Sequence, residues 1–189
     1  MLYGAHRAAP PKEVFERVKF DTPNVSGRMD NLRAAILRPQ LALLPERVAR
    51  WEALYRALEA GLRGIPGLRL VERPEEETFV GSSFQFLLPG WSAARVGAFL
   101  SRTLARGVEL KWFGADQPVA FTSRYDHWRY ATPQTLPRTD RILKSLIDMR
   151  LPLTFSPEDS ALIARIVRAE ALGVGQGPEP DAVELPRVQ

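Results

Sequence analysis

Two prolines decide how the longest apolar pattern in this chain can fold. From Leu44 onward, Leu44, Val48, Trp51, Tyr55, Leu58 and Leu62 recur at steps of three and four, the spacing that lines one face of a 3.6-residue helix. Arg47, Arg50, Glu52, Arg56 and Glu59 fall off that stripe, where they face water. Upstream, Met29, Leu32, Ala35 and Ile36 keep the same period. Pro39 then interrupts: it has no N–H for the i−4 bond and crowds the preceding turn, a cost of roughly 3 kcal/mol in a regular helix interior. Pro45 suits the first position of a new helix, with Glu46 near its positive end. The pattern predicts two helices, or one bent helix, over residues 26–64, with the bend between Arg38 and Pro45.

Bulk properties exclude several classes. A chain of 189 residues holds one core and is too short for two comfortable ones. Its formal charge is +4, and the arginines are scattered singly along helices. That is a solvated surface; a nucleic-acid site would cluster its basic residues, so no nucleic-acid partner is expected. The absence of cysteine excludes disulfides and thiolate metal sites and fits a reducing, cytoplasmic compartment. The opening MLYGAHRAAPPKEV has no continuous apolar run, hence no signal peptide. No window approaches the ~20 apolar residues of a membrane span. His6 and His127 lie far apart and make no metal site on their own.

Taken in order, residues 1–25 contain Pro10, Pro11 and Pro23 with little periodicity. They read as an extended arm, with at most a short turn from Lys12 to Lys19, ordered by packing on something else. Gly64, Pro66 and Gly67 close the helical stretch. Leu68 to Glu72 is a short strand candidate, and Ser82 to Leu88 alternates Phe84, Phe86 and Leu88 against Ser83 and Gln85 as a strand does. Ser92 caps a helix through Val96, Phe99, Leu100 and Leu104, closed by Gly107. Val108 to Phe113 alternates again. Residues 114–137 form a long irregular segment of the kind that is usually functional or interfacial. A helix over Arg138 to Ile147 and an edge strand over Arg150 to Phe155 follow, the edge position argued from Pro152. Ser156, Pro157, Glu158 and Asp159 start a last helix that stops near Gly173. Residues 173–189, rich in Gly, Pro and acid, read as a disordered tail. The expected organisation is therefore arm 1–25, bent helix 26–64, small α+β domain 65–172 and tail 173–189.

Specific residues carry a resemblance. Arg28, Met29, Leu32, Ala34, Ala35 and Ile36, then Gln40-Leu41, Arg50 and Tyr55, stand in the order of a segment in the DegT/DnrJ-type sugar aminotransferases. These are pyridoxal 5'-phosphate (PLP) enzymes of the aspartate-aminotransferase fold, fold type I. The finish is similar too: Leu136-Pro137-x-Thr139, Arg150-Leu151-Pro152-Leu153, then Ser156 to Asp159 ahead of the last helix. The resemblance covers about residues 26–171. It implies the family's small C-terminal domain, a short, mostly antiparallel sheet with helices on one face, preceded by the long bent helix.

What the resemblance implies about chemistry is partial. A PLP aminotransferase needs a lysine that holds the cofactor and moves a proton between carbon atoms. The family places it in a Ser-x-x-x-x-Lys segment of the large domain. Of Lys12, Lys19, Lys111 and Lys144, only Lys144 has a hydroxyl residue five positions earlier (Thr139), and no glycines follow it. Lys144 falls on the expected helix beside Leu143 and reads as a surface lysine. No catalytic residue is assigned. The expectation is a fragment or one half of a split enzyme, inactive alone, whose partner is the missing N-terminal large domain or a second copy in a homodimer.

In the family an Asn two residues before Arg-Met reaches the partner subunit's PLP phosphate. That position is Ser26 here, with Asn24 two residues further back, and Arg28 is a candidate for the phosphate or the donor's carboxylate. A salt bridge at the start of the helix is the plainer role for Arg28. In the irregular segment, Arg124, Tyr125, His127 and Trp128 are candidates for binding a sugar nucleotide or amino donor, because aromatics stack on rings and Arg clamps phosphates. The alternative there is that Trp128 and Tyr130 only anchor the loop. By resemblance such enzymes move an amino group from glutamate or glutamine to a keto-sugar nucleotide. A non-catalytic dimerisation or binding module with the same fold is the rival, and a basic nucleic-acid adaptor the weakest reading.

Overall fold

The computed structural model describes residues 13, 14, 17, 20, 21, 29–74, 76–117 and 124–175. Helix α1 spans Asn31–Ala42, with the Asp30 side chain accepting from the Arg33 N–H at 2.8 Å. Helix α2 spans Leu44–Leu62 with Pro45 in its first turn and Glu46 beside it. The break sits at Leu43, which ends one helix and begins the next. Pro39 stays inside α1. That position is tolerable because α1 buries no residue, so water can reach the carbonyl that Pro39 leaves unbonded.

Helix α2 buries Leu54, Tyr55, Leu58 and Leu62, while Leu44 is exposed. The buried face is thus rotated toward Leu54 relative to the expected stripe. It meets helix α5, Pro157–Gly175, at a close crossing: a Cβ added to Gly61 would lie 2.5 Å from the Ala164 Cβ. Arg168 of α5 then bonds the Gly61 and Arg63 carbonyls at 2.9 and 2.7 Å. A cation there satisfies carbonyls that the end of a helix leaves free and suits its negative pole. At its other end α2 holds the chain before α5, with Trp51 Nε1 donating to the Leu151 carbonyl and Arg50 to that of Leu153.

The sheet is antiparallel throughout, in the order β1 (Arg69–Leu70), β2 (Ser83–Leu87), β4 (Leu146–Arg150), β3 (Lys111–Trp112). Register puts Phe84 opposite Met149, and Phe86 opposite Ile147 with Trp112 beyond, on one face. These side chains join α2, α5 and helix α3 (Ala93–Ala105, through Val96 and Phe99) in one core. The Tyr55 and Phe84 rings lie 4.7 Å apart at its centre. The opposite face carries a polar cluster: Asp148 pairs with Gln85 and Lys111 across the strands. Its carboxylate accepts from the Ser83 hydroxyl and from Gln85. The architecture is α+β with the helices packed on the apolar face.

Two expectations are corrected. Helix α4 covers only Pro137–Leu143, and residues 146–150 belong to β4 rather than to that helix. The last strand is central, not an edge strand over Arg150 to Phe155. Leu143 and Ile147 are four apart, which suits a helix, but Ile147 and Met149 face the core while Asp148 is held from the other side, a period of two. Pro152 falls just past the ladder, so its missing N–H costs the sheet nothing. Strands β1 and β3 are also shorter than expected. Helix α5 continues to Gly175, and the proposed tail beyond it lies outside the described residues. Most of the arm does as well.

One ion cluster ties α3 to α5. Glu170 accepts from Arg102 at 2.7 Å and Arg106 at 2.8 Å. The Arg106 bond, then the Arg102 bond, hold its carboxyl below the ordinary value of 4.5 against the effect of burial. A depressed folded-state pKa contributes stability that is present above the unfolded value and disappears as pH falls through the folded one. In urea titrations, the stability gap between the parent chain and Glu170→Gln should therefore be full near neutrality and shrink below pH ~4.5. Leu58→Ala should cost about 2–5 kcal/mol. Leu32→Ala on α1 should stay within about 0.5 kcal/mol by the same measurement.

Candidate functional site

A small cleft among the described residues forms where β3 leaves the sheet. Trp112 Nε1 donates to the Lys144 carbonyl at 2.9 Å, fixing the indole against the end of α4. Gly114 passes through this contact: a Cβ there would meet Trp112 Nε1 at 2.6 Å and the Lys144 Cα at 2.7 Å. Around it lies a cleft of about 100 Å³ lined by Gly114, Arg124, Asp140, Leu143 and Lys144. Two cations and one carboxylate border it, enough for a single small charged group.

The loop after residue 123 supplies one wall. Arg124 bonds Asp126 with both Nε, at 2.9 Å, and a terminal nitrogen, and Asp116 lies 3.8 Å away. The Arg124 bond holds the Asp126 carboxyl below its ordinary value. Tyr125, in the 3₁₀ turn Tyr125–His127, donates to Asp140 Oδ1 at 2.9 Å and accepts from the Leu136 N–H at 3.2 Å. Loss of water, then the Asp140 bond, push its phenol above the ordinary value of 10.0. It stays protonated through neutral pH and pins the loop to the first turn of α4.

His127 packs edge-on against Phe20, centroids 6.4 Å apart, and Trp128 stacks on Tyr130 at 5.8 Å. His127 Nδ1 and Trp128 Nε1 are buried without a hydrogen-bond partner among the described residues. Of the four loop residues named from sequence, Arg124 alone lines the cleft. Asn24, Ser26 and Arg28 lie outside the described residues. Sequence reasoning missed Asp140, the acceptor for Tyr125, and Arg129, which bonds Asp21 at 3.2 Å. Nothing in local spacing marks either, since their partners lie 15 and 108 positions away.

Could the described residues hold PLP? Lys144 is the exposed C-terminal cap of α4. Lys111 is half-buried on β3, its ammonium 4.8 Å from the Phe113 ring centre. Burial lowers its pKa, and Asp148 opposes that shift. The cleft beside Lys144 is well below the ~300–1,000 Å³ that buries a small cofactor, and Lys111 does not line it. The described residues therefore do not fit PLP by themselves. Among them there is also no His, Asp and Glu cluster able to hold a metal ion, and no helix long and apolar enough to cross a membrane. Gly114→Ala should destabilise the chain by about 1–3 kcal/mol and alter the Trp112 environment, read by tryptophan emission and urea unfolding.

The fold has known counterparts. An aminotransferase, TlmJ from Streptoalloteichus hindustanus, superposes with a TM-score of 0.64 at 22% identity, over 81% of this chain and 40% of its own. The 3-amino-5-hydroxybenzoic acid synthase superposes at 0.60 and 20% identity, over 86% and 47%. DesV of S. venezuelae, solved with a ketimine intermediate, gives 0.60 and 22%, over 89% and 41%. This chain thus spans less than half the length of each. No curated protein matches it in sequence. The sequence model of one family does match, over residues 4–168. The chain belongs to the DegT/DnrJ/EryC1/StrS aminotransferase family.

Proposed function

We propose that this chain supplies the C-terminal portion of a PLP-dependent sugar aminotransferase, and that the cofactor-holding lysine comes from residues other than these 189. The observation that carries the reading is the bare apolar surface of α1 and of Met29 just before its cap. Met29, Leu32, Ile36, Leu37 and Leu41 are 63, 71, 54, 43 and 66% exposed, at the start of the motif that resembles the family. A helix with this much uncovered apolar surface marks an association site. The occupant it suits is the large domain that accounts for the remainder of the structural counterparts, or the same region of a second copy in a homodimer.

In this reading Asn24, Ser26 and Arg28 approach the cofactor phosphate, and the loop carrying Arg124, Tyr125, His127 and Trp128 faces substrate. The unbonded ring nitrogens of His127 and Trp128 support the second assignment. Each such group costs about 1–3 kcal/mol, which a ligand or docking partner can offset. The substrates proposed are an amino donor, glutamate or glutamine, and a keto-sugar nucleotide. One structural counterpart, DesI, was solved in the presence of its TDP-sugar product. When bound, PLP would supply the electron sink for amino transfer.

The rival, a non-catalytic dimerisation or binding module, shares the fold and the bare helix. Purification with PLP and borohydride separates them. The chain alone should show no visible absorbance from a lysine-linked cofactor. Co-expression with a lysine-bearing large domain encoded beside it should create that absorbance and glutamate-dependent amino transfer. Cofactor trapped on Lys111 or Lys144 of the isolated chain would overturn the reading.

A further inference from the structure

Between them, Pro39 and Pro45 weaken the join between α1 and α2. Neither has an N–H to give, so the Ala35 and Leu41 carbonyls lose their i+4 partners. Leu43 bridges the gap: its N–H bonds the Gln40 carbonyl at 3.2 Å, and its carbonyl accepts from the Arg47 N–H at 3.0 Å. Leu43 and Leu44 are both exposed, so neither is an apolar wedge that fixes the angle. Among the described residues, one side-chain hydrogen bond crosses the join. Arg47 donates from a terminal nitrogen to Gln40 Oε1 at 3.2 Å, while Gln40 Nε2 donates to the Ile36 carbonyl at 3.2 Å. Gln40 is also the one part-buried residue of α1; every other position from Asn31 to Ala42 is exposed. The Arg33 bonds to Asp30 stay at the first turn of the helix.

We propose that Gln40 and Arg47 form a latch across this join, as positioning residues that set the angle at which α1 leaves the small domain. Arg47 belongs to α2, whose later turns are locked in the core by Leu54, Tyr55 and Leu58. Gln40 grips from the other side, with one amide atom on α1 itself and the other on α2. A helix with no core of its own, carried on a proline-weakened join, takes its direction from such a contact. A partner that covers the apolar side of α1 then meets a surface already aimed, and the cost of ordering it on binding falls. That consequence rests on the association proposed above; the latch itself rests only on the contacts.

Distances between two spin labels on the full chain test the latch. The chain has no cysteine, so Ala34→Cys on α1 and Ala60→Cys on α2, both at exposed positions, take one label each. The parent chain should give a single narrow distance peak. Arg47→Ala should raise the share of molecules outside that peak about fivefold, the factor that goes with one lost hydrogen bond. Gln40→Ala should act alike, and the double variant should do no more than either, because both remove one interaction. Gln40→Glu keeps an acceptor for Arg47 and should keep the narrow peak. Amide exchange within α1 should stay at the parent rate in Arg47→Ala, which separates a swinging helix from a melted one. A broad distribution in the parent, an unaltered one in Arg47→Ala, or faster α1 exchange in that variant overturns the latch. The association has its own readout: with the lysine-bearing large domain bound, parent and Arg47→Ala should share one narrow peak. A variant that stays broad in that assembly would leave the latch standing and remove the docking of α1.

Discussion

Everything in this small domain depends on how closely α2 and α5 can cross. Gly61 has no side chain at the point where Ala164 arrives, so two backbones meet where any Cβ would intrude. The contact brings Arg168 within reach of the last α2 carbonyls, and the guanidinium closes a helix end whose last turn carries no basic residue. With α2 and α5 set, the ring of Tyr55 reaches Phe84, and the central strand pair is pressed against the helices. The sheet alone would be a poor scaffold, because two of its four strands are only two residues long. Its stability comes from burial of one face, at roughly 25 cal/mol per Å² of apolar surface, far more than from its ladders.

Against that packed crossing, α1 is anomalous. The same chain that buries Leu54, Leu58 and Leu62 leaves Met29, Leu32, Ile36 and Leu41 in water only a few turns earlier. Intrinsic propensity does not rescue such a helix, since it contains a proline and isolated helices of this length are marginal. Covering that surface is what the proposed association would do for α1.

How much of this was legible in the sequence follows from which interactions are local. The Ser92 and Ser156 caps, Pro45 at a helix start and the alternation of Phe84 and Phe86 are all decided within a few residues, and each appears where the pattern places it. The two misplacements fall in the stretch from Leu143 to Phe155, where local and tertiary demands diverge. Ile147 and Met149 can belong to a helix or a strand by spacing. Only the ladder to β2 and the polar partners of Asp148 settle the matter, and Ser83 and Gln85 are more than sixty positions away. For the candidate site, Arg124 could be picked out as a cleft residue by type, with Asp126 only two positions away. Asp140 and Arg129 were invisible because their partners are brought in by the fold.

The family itself was more legible than the geometry, and the physical reason is instructive. A core position accepts any apolar residue of suitable volume, so the helix stripe says helix and little more. Apart from Gln40, which accepts from Arg47 at 3.2 Å, the described part of the order Arg28-Met29, Ala34-Ala35, Gln40-Leu41 is not demanded by packing: Met29 and Leu41 are exposed, and Ala34 and Ala35 bury nothing. In the proposed association these exposed positions are the ones that meet the covering surface, so their order carries information that the core stripe does not.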